Sequence, residues 1–227
     1  MGYYSEHLAG RRLERCYEVA SPRVRQYLEA ELAHVIAHLE PTDAVLEIGC
    51  GTGRITHRLA DVAQRVVGID TAKASVELAR EQAEGIAGLE YHERDALDLG
   101  FAGGEFDVVV CAQDGLCAFG LDPGDLILEA LRVTRPGGLA LFSTYSDAFW
   151  PHRLAWFEAQ AAAGLVGPLD HQACVDGRIV CLDGFSSGRM TRAQLTSICE
   201  TLDLEGHVQE VDCSSLFLRV HGSRGER

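Results

Sequence analysis

One short segment, residues 45–54, constrains the fold of this chain more than any other. It begins as an apolar run, carries an acid at Glu47, and then has glycine at every second position, at Gly49, Gly51 and Gly53. Glycine lets the backbone turn sharply and lets a ligand approach where a Cβ atom would intrude. We therefore expect a buried strand that turns into a helix through a loop holding a flat, polar ligand.

The spacing of these glycines argues against a nicotinamide dinucleotide as the ligand. The dinucleotide fingerprint has glycine at its first, third and sixth positions. Counted from Gly49, the sixth position is Arg54, and the third glycine falls one residue early. A dehydrogenase is therefore disfavoured.

Later segments continue an alternation of strands and helices. Apolar strand-like runs are expected at 65–70, 89–96 and 106–112, and 131–142 reads as the end of a helix, an Arg-Pro-Gly-Gly turn and a fifth strand. Helices are expected at 55–63, 73–84 and 123–134. Such alternation predicts a parallel sheet covered on both faces, whose ligands bind at the carboxyl ends of the strands.

Taken together, these five segments resemble in order and spacing the motifs of the class I S-adenosylmethionine (SAM) dependent methyltransferases of small-molecule type. The resemblance covers residues 22–145 and 190–221. It implies an α/β fold of three layers, Rossmann-like, with a mostly parallel seven-stranded sheet and an antiparallel C-terminal hairpin. It also implies SAM as the cofactor, S-adenosyl-L-homocysteine (SAH) as the product, and a small-molecule methyl acceptor.

The resemblance also implies which residues contact SAM. The glycine loop would wrap the amino-acid part, Asp70 would accept hydrogen bonds from the ribose hydroxyls, and Asp95 would bind the adenine amino group. Asp70 could instead cap the next helix, and Asp95 could be a solvent-facing turn residue. The full predicted set is Glu47, Gly49, Cys50, Gly51, Gly53, Asp70, Asp95, Ala96 and Gln113.

Candidate catalytic residues follow the fourth and fifth strands. Asp114 could bind a cationic acceptor or take its proton, although an acid before glycine is also an ordinary turn residue. Tyr145 lies at the mouth of the fifth strand, and His152 has a suitable pKa for a general base unless it is simply a surface histidine. Trp150 and Trp156 are expected to pack in a roof over the cavity more readily than to form a cation-binding cage.

The chain divides into four predicted stretches. Residues 1–40 form an N-terminal helical lid or cap, or else pack against the sheet edge, with Ser21 and Pro22 starting the main helix. Residues 41–145 form the SAM-binding core, and 146–189 form an insertion that roofs the substrate cavity and contains a hairpin around Asp176 and Gly177. Residues 190–227 supply the closing helix and the antiparallel strands.

Composition limits the partners. The net charge of −14 argues against a surface built for nucleic acid or an anionic membrane, and a small or cationic substrate fits better. No apolar run approaches the roughly 20 residues that span a bilayer, no signal peptide is visible, and the eight cysteines lack a C-x-x-C pair. We expect a cytoplasmic protein with reduced thiols, and the sequence implies no metal. A homodimer is possible, but no feature of the sequence requires it.

Other readings of the same features remain. The cofactor crevice could belong to a regulatory protein that binds SAM without turnover. It could also belong to an aminopropyltransferase; such enzymes usually have an acidic cluster after the fourth strand, where this chain has only Asp114. A minor alternative is a soft acceptor such as arsenite, which thiolates would bind if several cysteines converged. The cysteines in question are Cys111, Cys117, Cys174, Cys181 and Cys213.

Overall fold

The structure, a computed structural model, describes residues 3–222 and centres on a seven-stranded sheet. Its strands are β1 (Ala44–Ile48), β2 (Arg65–Asp70), β3 (Leu89–Glu93), β4 (Phe106–Cys111), β5 (Thr134–Tyr145), β8 (Gly206–Val211) and β9 (Ser215–His221). A separate two-stranded sheet pairs β6 (Ile179–Val180) with β7 (Ser186–Ser187).

The strand order of the large sheet is β3-β2-β1-β4-β5-β9-β8. The first five strands pair in parallel, and β9 pairs antiparallel with both β5 and β8. Strands β1, β2 and β4 are almost wholly buried, which is why they read in the sequence as continuous apolar runs. The predicted fold class is confirmed.

Helices cover both faces of the sheet. They are α1 (Tyr3–His7), α2 (Arg11–Glu18), α3 (Pro22–Ile36), α4 (Thr56–Leu59), α5 (Lys73–Gln82), α6 (Gly115–Ala118), α7 (Pro123–Val133), α8 (Trp150–Ala162) and α9 (Arg192–Thr201). Ser21 caps α3 as predicted, because its side chain accepts from the Val24 amide with Pro22 in the first turn. Thr191 and Gln194 form a capping box at α9.

Alternate residues of each strand enter two different cores. Leu46 packs with Ile127 of α7 and Leu195 of α9 on one face. Its neighbour Val45 packs with Val35 of α3 on the other face. This period of two, with helices on either side, makes the three predicted layers.

Some local predictions differ from the structure. The helix expected at 55–63 is only the four residues of α4, and the expected Arg-Pro-Gly-Gly turn lies within β5. There it coincides with a register shift between Phe106 and Val108 in the pairing of β4 with β5. Gly137 has a φ of 76° within this segment, so the backbone is irregular here although the residues belong to the strand.

The predicted hairpin around Asp176 and Gly177 is wrong. Both residues have positive φ and the Arg178 amide donates to the Val175 carbonyl, so a tight turn does form. The preceding residues are nevertheless wound into turns, where the Asp170 side chain accepts two backbone amides. Strand β6 therefore pairs forward with β7, across a turn at 181–185.

Across residues 3–222, none of the helices combines the length and the apolar character needed to cross a membrane.

Candidate functional site

A cavity of about 850 Å³ opens at the carboxyl ends of the parallel strands. Its floor comes from the glycine loop and the ends of β1, β2 and β4. Its remaining walls come from α1, α2 and α8, together with residues 93–96 and 118–121. The cavity is therefore enclosed by the core, the N-terminal helices and the insertion.

The glycine loop forms as predicted. Gly49, Gly51 and Gly53 have φ values of 77°, 54° and 85°, a region that residues with a Cβ atom rarely adopt. The amides of Gly49 and Cys50 both donate to the Ile69 carbonyl, which ties the loop to β2. A Cβ atom on Gly51 would also lie 2.6 Å from the tip of the Leu13 side chain of α2, which would have to shift.

Asp70 lies in the cavity at the end of β2 and holds the glycine loop. Its Oδ2 accepts from the Gly51 amide at 2.9 Å, and its Oδ1 accepts from the Ala72 amide at 2.7 Å. Ala72 itself is the N-cap residue of α5, so Asp70 is not the helix cap. Burial raises the pKa of Asp70, and these backbone bonds oppose that rise.

Glu47 lies at the base of the cavity and is 3% exposed. Its Oε2 accepts a hydrogen bond from the Thr56 hydroxyl of α4. Burial raises the pKa of Glu47 to about 7, while the Thr56 bond and the positive charge of Arg54 act in the opposite direction. The carboxyl group is therefore poised between its charged and neutral forms near neutral pH.

The remaining predicted cofactor residues also line the cavity. Asp95 is exposed and its Oδ1 accepts from the Leu97 amide, so it is a turn residue at the cavity rim. Ala96 beside it is 7% exposed. Gln113 follows β4 with a φ of 54°, and its Oε1 accepts from the Tyr17 hydroxyl at 3.1 Å.

The structure brings one of the three predicted catalytic residues to the cavity. Tyr145 lines it, but neither Asp114 nor His152 does. His152 is an exposed residue of α8 whose ring faces Phe149, consistent with a surface histidine. Gln113 and Gly115, the two neighbours of Asp114 in the sequence, do line the cavity.

Asp114 is instead part of a buried ion pair beneath the cavity. Its Oδ2 is 3.6 Å from Nη2 of Arg153, its Oδ1 accepts from the Thr144 hydroxyl at 2.5 Å, and both members of the pair are buried. Burial raises the pKa of Asp114 to about 6 despite the adjacent guanidinium. The Arg153 guanidinium also lies 4.0 Å from the ring centroid of Tyr145, so it links the pair to the cavity wall.

Several lining residues carry no sequence motif. Tyr17 and Arg54 meet over the glycine loop, with the guanidinium carbon 5.1 Å from the ring centroid. Trp156 lines the cavity as predicted for a roof residue, and its Nε1 donates to the Cys16 carbonyl. The position of Arg54 directly after the loop was the only available signal for its role, whereas Tyr17 arrives from a distant helix and gave none.

The cysteines do not form a metal site in the described part of the chain. All eight are free thiols. No group of three or more His, Cys, Asp or Glu side chains within residues 3–222 is placed to hold a metal ion. The convergence needed for a soft thiolate-bound acceptor is therefore not found among these residues.

Comparison with known proteins identifies the family. Residues 45–138 match the family model of a methyltransferase domain. The core of this chain is a class I SAM-dependent methyltransferase domain. SAM is the cofactor of this family, and the match runs from the first strand through the loop and the strand-end acids to β5.

Curated relatives of this methyltransferase domain match over part of their length. A probable methyltransferase, ltbC, of Aspergillus luteorubrus is 33% identical over 56% of this chain and 48% of its own. A ubiquinone biosynthesis O-methyltransferase of Aromatoleum aromaticum is 30% identical over 51% of this chain and 50% of its own. The chain thus spans about half the length of these relatives.

A solved methyltransferase structure shares the fold. The magnesium protoporphyrin IX methyltransferase of Synechocystis, solved with bound SAH, superimposes with a TM-score of 0.64 at 17% identity. The superposition covers 97% of each chain. At this identity the likeness concerns the fold alone, and it covers nearly the whole of this chain.

The residues present fit the cofactor. SAM is a cation with hydroxyl, amino and carboxylate groups, and the cavity offers the buried Glu47 and the partly buried Asp70 beside the glycine loop. Its volume lies toward the upper end of the roughly 300–1,000 Å³ of small-molecule sites. The methyltransferase site therefore has space for SAM together with a small second ligand.

Proposed function

We propose that this chain transfers the methyl group of SAM to an O, N, S or C atom of a small molecule by in-line displacement. The observation that carries the proposal is that one continuous cavity is lined both by the glycine loop and by the aromatic side chains of Tyr145, Trp156 and Phe157. A site that held SAM and closed around it would not need this second, apolar end.

When bound, SAM supplies a methyl group on a positively charged sulfur. The protein then has to position the two reactants and exclude water, which are the main sources of rate in such a displacement. We assign cofactor binding to Glu47, the glycine loop, Asp70, Asp95, Ala96 and Gln113. Tyr145 remains the proposed residue on the acceptor side, because it alone of the predicted catalytic residues lines the cavity.

The flanking segments have proposed roles as well. Residues 1–40 would act as a lid, since Leu13 and Tyr17 of α2 line the cavity opposite the sheet. Residues 146–189 would roof the acceptor end through α8. The free thiols and the net charge of −14 favour a cytoplasmic enzyme with a small-molecule partner and no nucleic acid.

The two other readings gain less support. An aminopropyltransferase would need acids after β4 that reach its polyamine substrate, but Asp114 is paired with Arg153 below the cavity. A SAM-binding regulator would need no acceptor end. The regulator also predicts SAM binding, so turnover has to be measured separately from affinity.

The test has two stages. Calorimetric titration with SAM, SAH and NADH should show micromolar affinity for the first two and none for the third. Incubation with methyl-tritiated SAM and a panel of small phenols, amines, thiols and carboxylic acids should then transfer label to one class. SAM binding without transfer of label to any member of the panel, or to any small molecule of a cell extract, would favour the regulator.

A further inference from the structure

Arg54 brings a positive charge into the cavity directly after the glycine loop. Its side chain lies against the ring of Tyr17, whose hydroxyl donates to Gln113. Arg54, Tyr17 and Gln113 thus form one connected group on the cavity wall between the loop and the end of β4. Of these three residues, we assign only Gln113 to the cofactor as well.

The guanidinium of Arg54 lacks an ionic partner among residues 3–222. Its Nε and Nη2 are buried and make no hydrogen bond there, and its polar neighbour is the uncharged Tyr17 hydroxyl. Arg153 provides the contrast: its Nε also lacks a partner, but its two terminal nitrogens donate to Gly177, Ser187 and Gly188 and one of them pairs with Asp114. Buried donors without acceptors are costly, so an arginine left in this state indicates a missing acceptor.

Nearby acids attenuate the charge of Arg54 without pairing with it. Glu31 of α3 is fully buried, and Glu47 accepts a hydrogen bond from the Thr56 hydroxyl. Burial raises the pKa of both carboxyl groups, and Arg54 acts to lower them. Both carboxyl oxygens of Glu31 also lack a hydrogen-bond partner among residues 3–222, so Glu31 does not pair with Arg54 there.

The surrounding walls are flat and largely apolar. Tyr17, Tyr145, Trp156 and Phe157 line the same cavity and suit a planar ring. The net charge of −14 does not oppose an anion here, because surface charges are screened beyond about 8 Å at physiological ionic strength. A buried guanidinium at contact distance dominates over them.

We propose that Arg54 binds a carboxylate of the methyl acceptor, and that the acceptor is a planar aromatic acid. The planar fork of a guanidinium matches a carboxylate through two parallel hydrogen bonds, which a neutral group cannot reproduce. This inference rests on the proposed function, since it names the acceptor of the same reaction. SAM also carries a carboxylate, so the test has to separate the two sources.

The first experiment uses the unmodified protein loaded with SAH. Dissociation constants are measured by ligand-observed NMR for benzoate, 4-hydroxybenzoate and phenylacetate, each against its neutral amide. We expect at least one acid to bind about tenfold or more tightly than its amide, as a charge-assisted pair implies. The inference is overturned if no acid is preferred over its amide.

The second experiment removes the guanidinium. Arg54→Met should abolish the preference for the acid, and Arg54→Lys, which keeps the charge but loses the fork, should weaken it. Arg58→Met is the matched control, because Arg58 lies one helical turn further on with a half-exposed side chain paired with Glu29. Should Arg54→Met fail to fold, the lysine variant and the acid–amide comparison still decide the matter.

SAH and 5′-methylthioadenosine, which lacks the carboxylate, distinguish the source of the anion. An acceptor carboxylate predicts that Arg54→Met leaves the affinity for both compounds unchanged. If Arg54→Met lost affinity for SAH but not for 5′-methylthioadenosine, Arg54 would bind the carboxylate of the cofactor, and the inference would be overturned. Failure of the unmodified protein to bind SAH would instead count against the proposed function, so the two failures are distinguishable.

Discussion

At the scale of single residues, Asp70 holds the glycine loop and is also the residue that we propose binds the ribose hydroxyls of the cofactor. Each of its oxygens accepts one backbone amide and keeps a free lone pair, so fixing the loop does not prevent it from binding hydroxyl groups. Asp70→Ala should therefore weaken SAH binding by about 1.5–3 kcal/mol, roughly 10- to 150-fold, measured by calorimetry. The exposed Asp61→Ala is the control, and an unchanged affinity for Asp70→Ala would refute the assignment.

Glu47 should make the stability of the ligand-free protein depend on pH. Its pKa is raised from an ordinary 4.5 to about 7, so the folded state binds the proton more tightly than the unfolded state does. The contribution of Glu47 is then most favourable below pH 4.5 and is lost as the pH rises to about 7, by on the order of 3 kcal/mol.

The variant Glu47→Gln isolates this effect, because an amide can still accept from Thr56 but does not titrate in this range. Urea unfolding between pH 5 and 8 should show a flatter decline in the free energy of unfolding for the variant than for the parent. Glu31 and Asp114, whose pKa values are also raised by burial, contribute the same sign in both proteins. Equal slopes would contradict the role assigned to Glu47.

At the scale of elements, the sequence predicts what is encoded locally. Strands β1, β2 and β4 are buried apolar runs, and α3 and α9 have capping residues at their own N-termini. The sequence analysis therefore predicted all five elements. Strands β6 and β7 have two residues each and exist because of contacts made at a distance, so their pairing was missed. The ion pair of Asp114 was missed for the same reason, since its partner Arg153 comes from a separate helix.

Arg153 should hold the insertion together. It is wholly buried on α8 and donates to carbonyls on either side of the β6–β7 sheet, while its charge pairs with Asp114. Arg153→Met should cost about 3–5 kcal/mol in urea unfolding, because it leaves Asp114 buried and unpaired. The exposed Arg178→Met is the control within the same insertion.

A double-mutant cycle with Asp114→Asn separates the pair from the backbone contacts. If the ion pair matters, the double variant should lose less free energy of unfolding than the sum of the two single variants. Strict additivity would show that Arg153 acts only through the carbonyl groups of Gly177 and Gly188.

At the scale of the whole molecule, the cavity joins parts of the chain that are far apart in sequence. The N-terminal helices bind the insertion through Arg12, whose Nη2 donates to the carbonyls of Gly164 and Leu165, and through Tyr3, whose hydroxyl donates to Asp183. Neither contact involves the sheet. The N-terminal helices also contact the core, because the Gly10 amide donates to Ser75 and the Tyr17 hydroxyl donates to Gln113.

This arrangement predicts how a bound cofactor should affect backbone motion. Because α1 and α2 close one side of the cavity, SAH should slow amide hydrogen exchange in residues 3–18 as well as in the glycine loop. Arg12→Met together with Tyr3→Phe should raise exchange in α1 and α2 of the free protein while exchange in β1 and β4 stays unchanged. Protection by SAH that is confined to residues 47–96 would show that the N-terminal helices are fixed packing elements, and the lid assignment would fail.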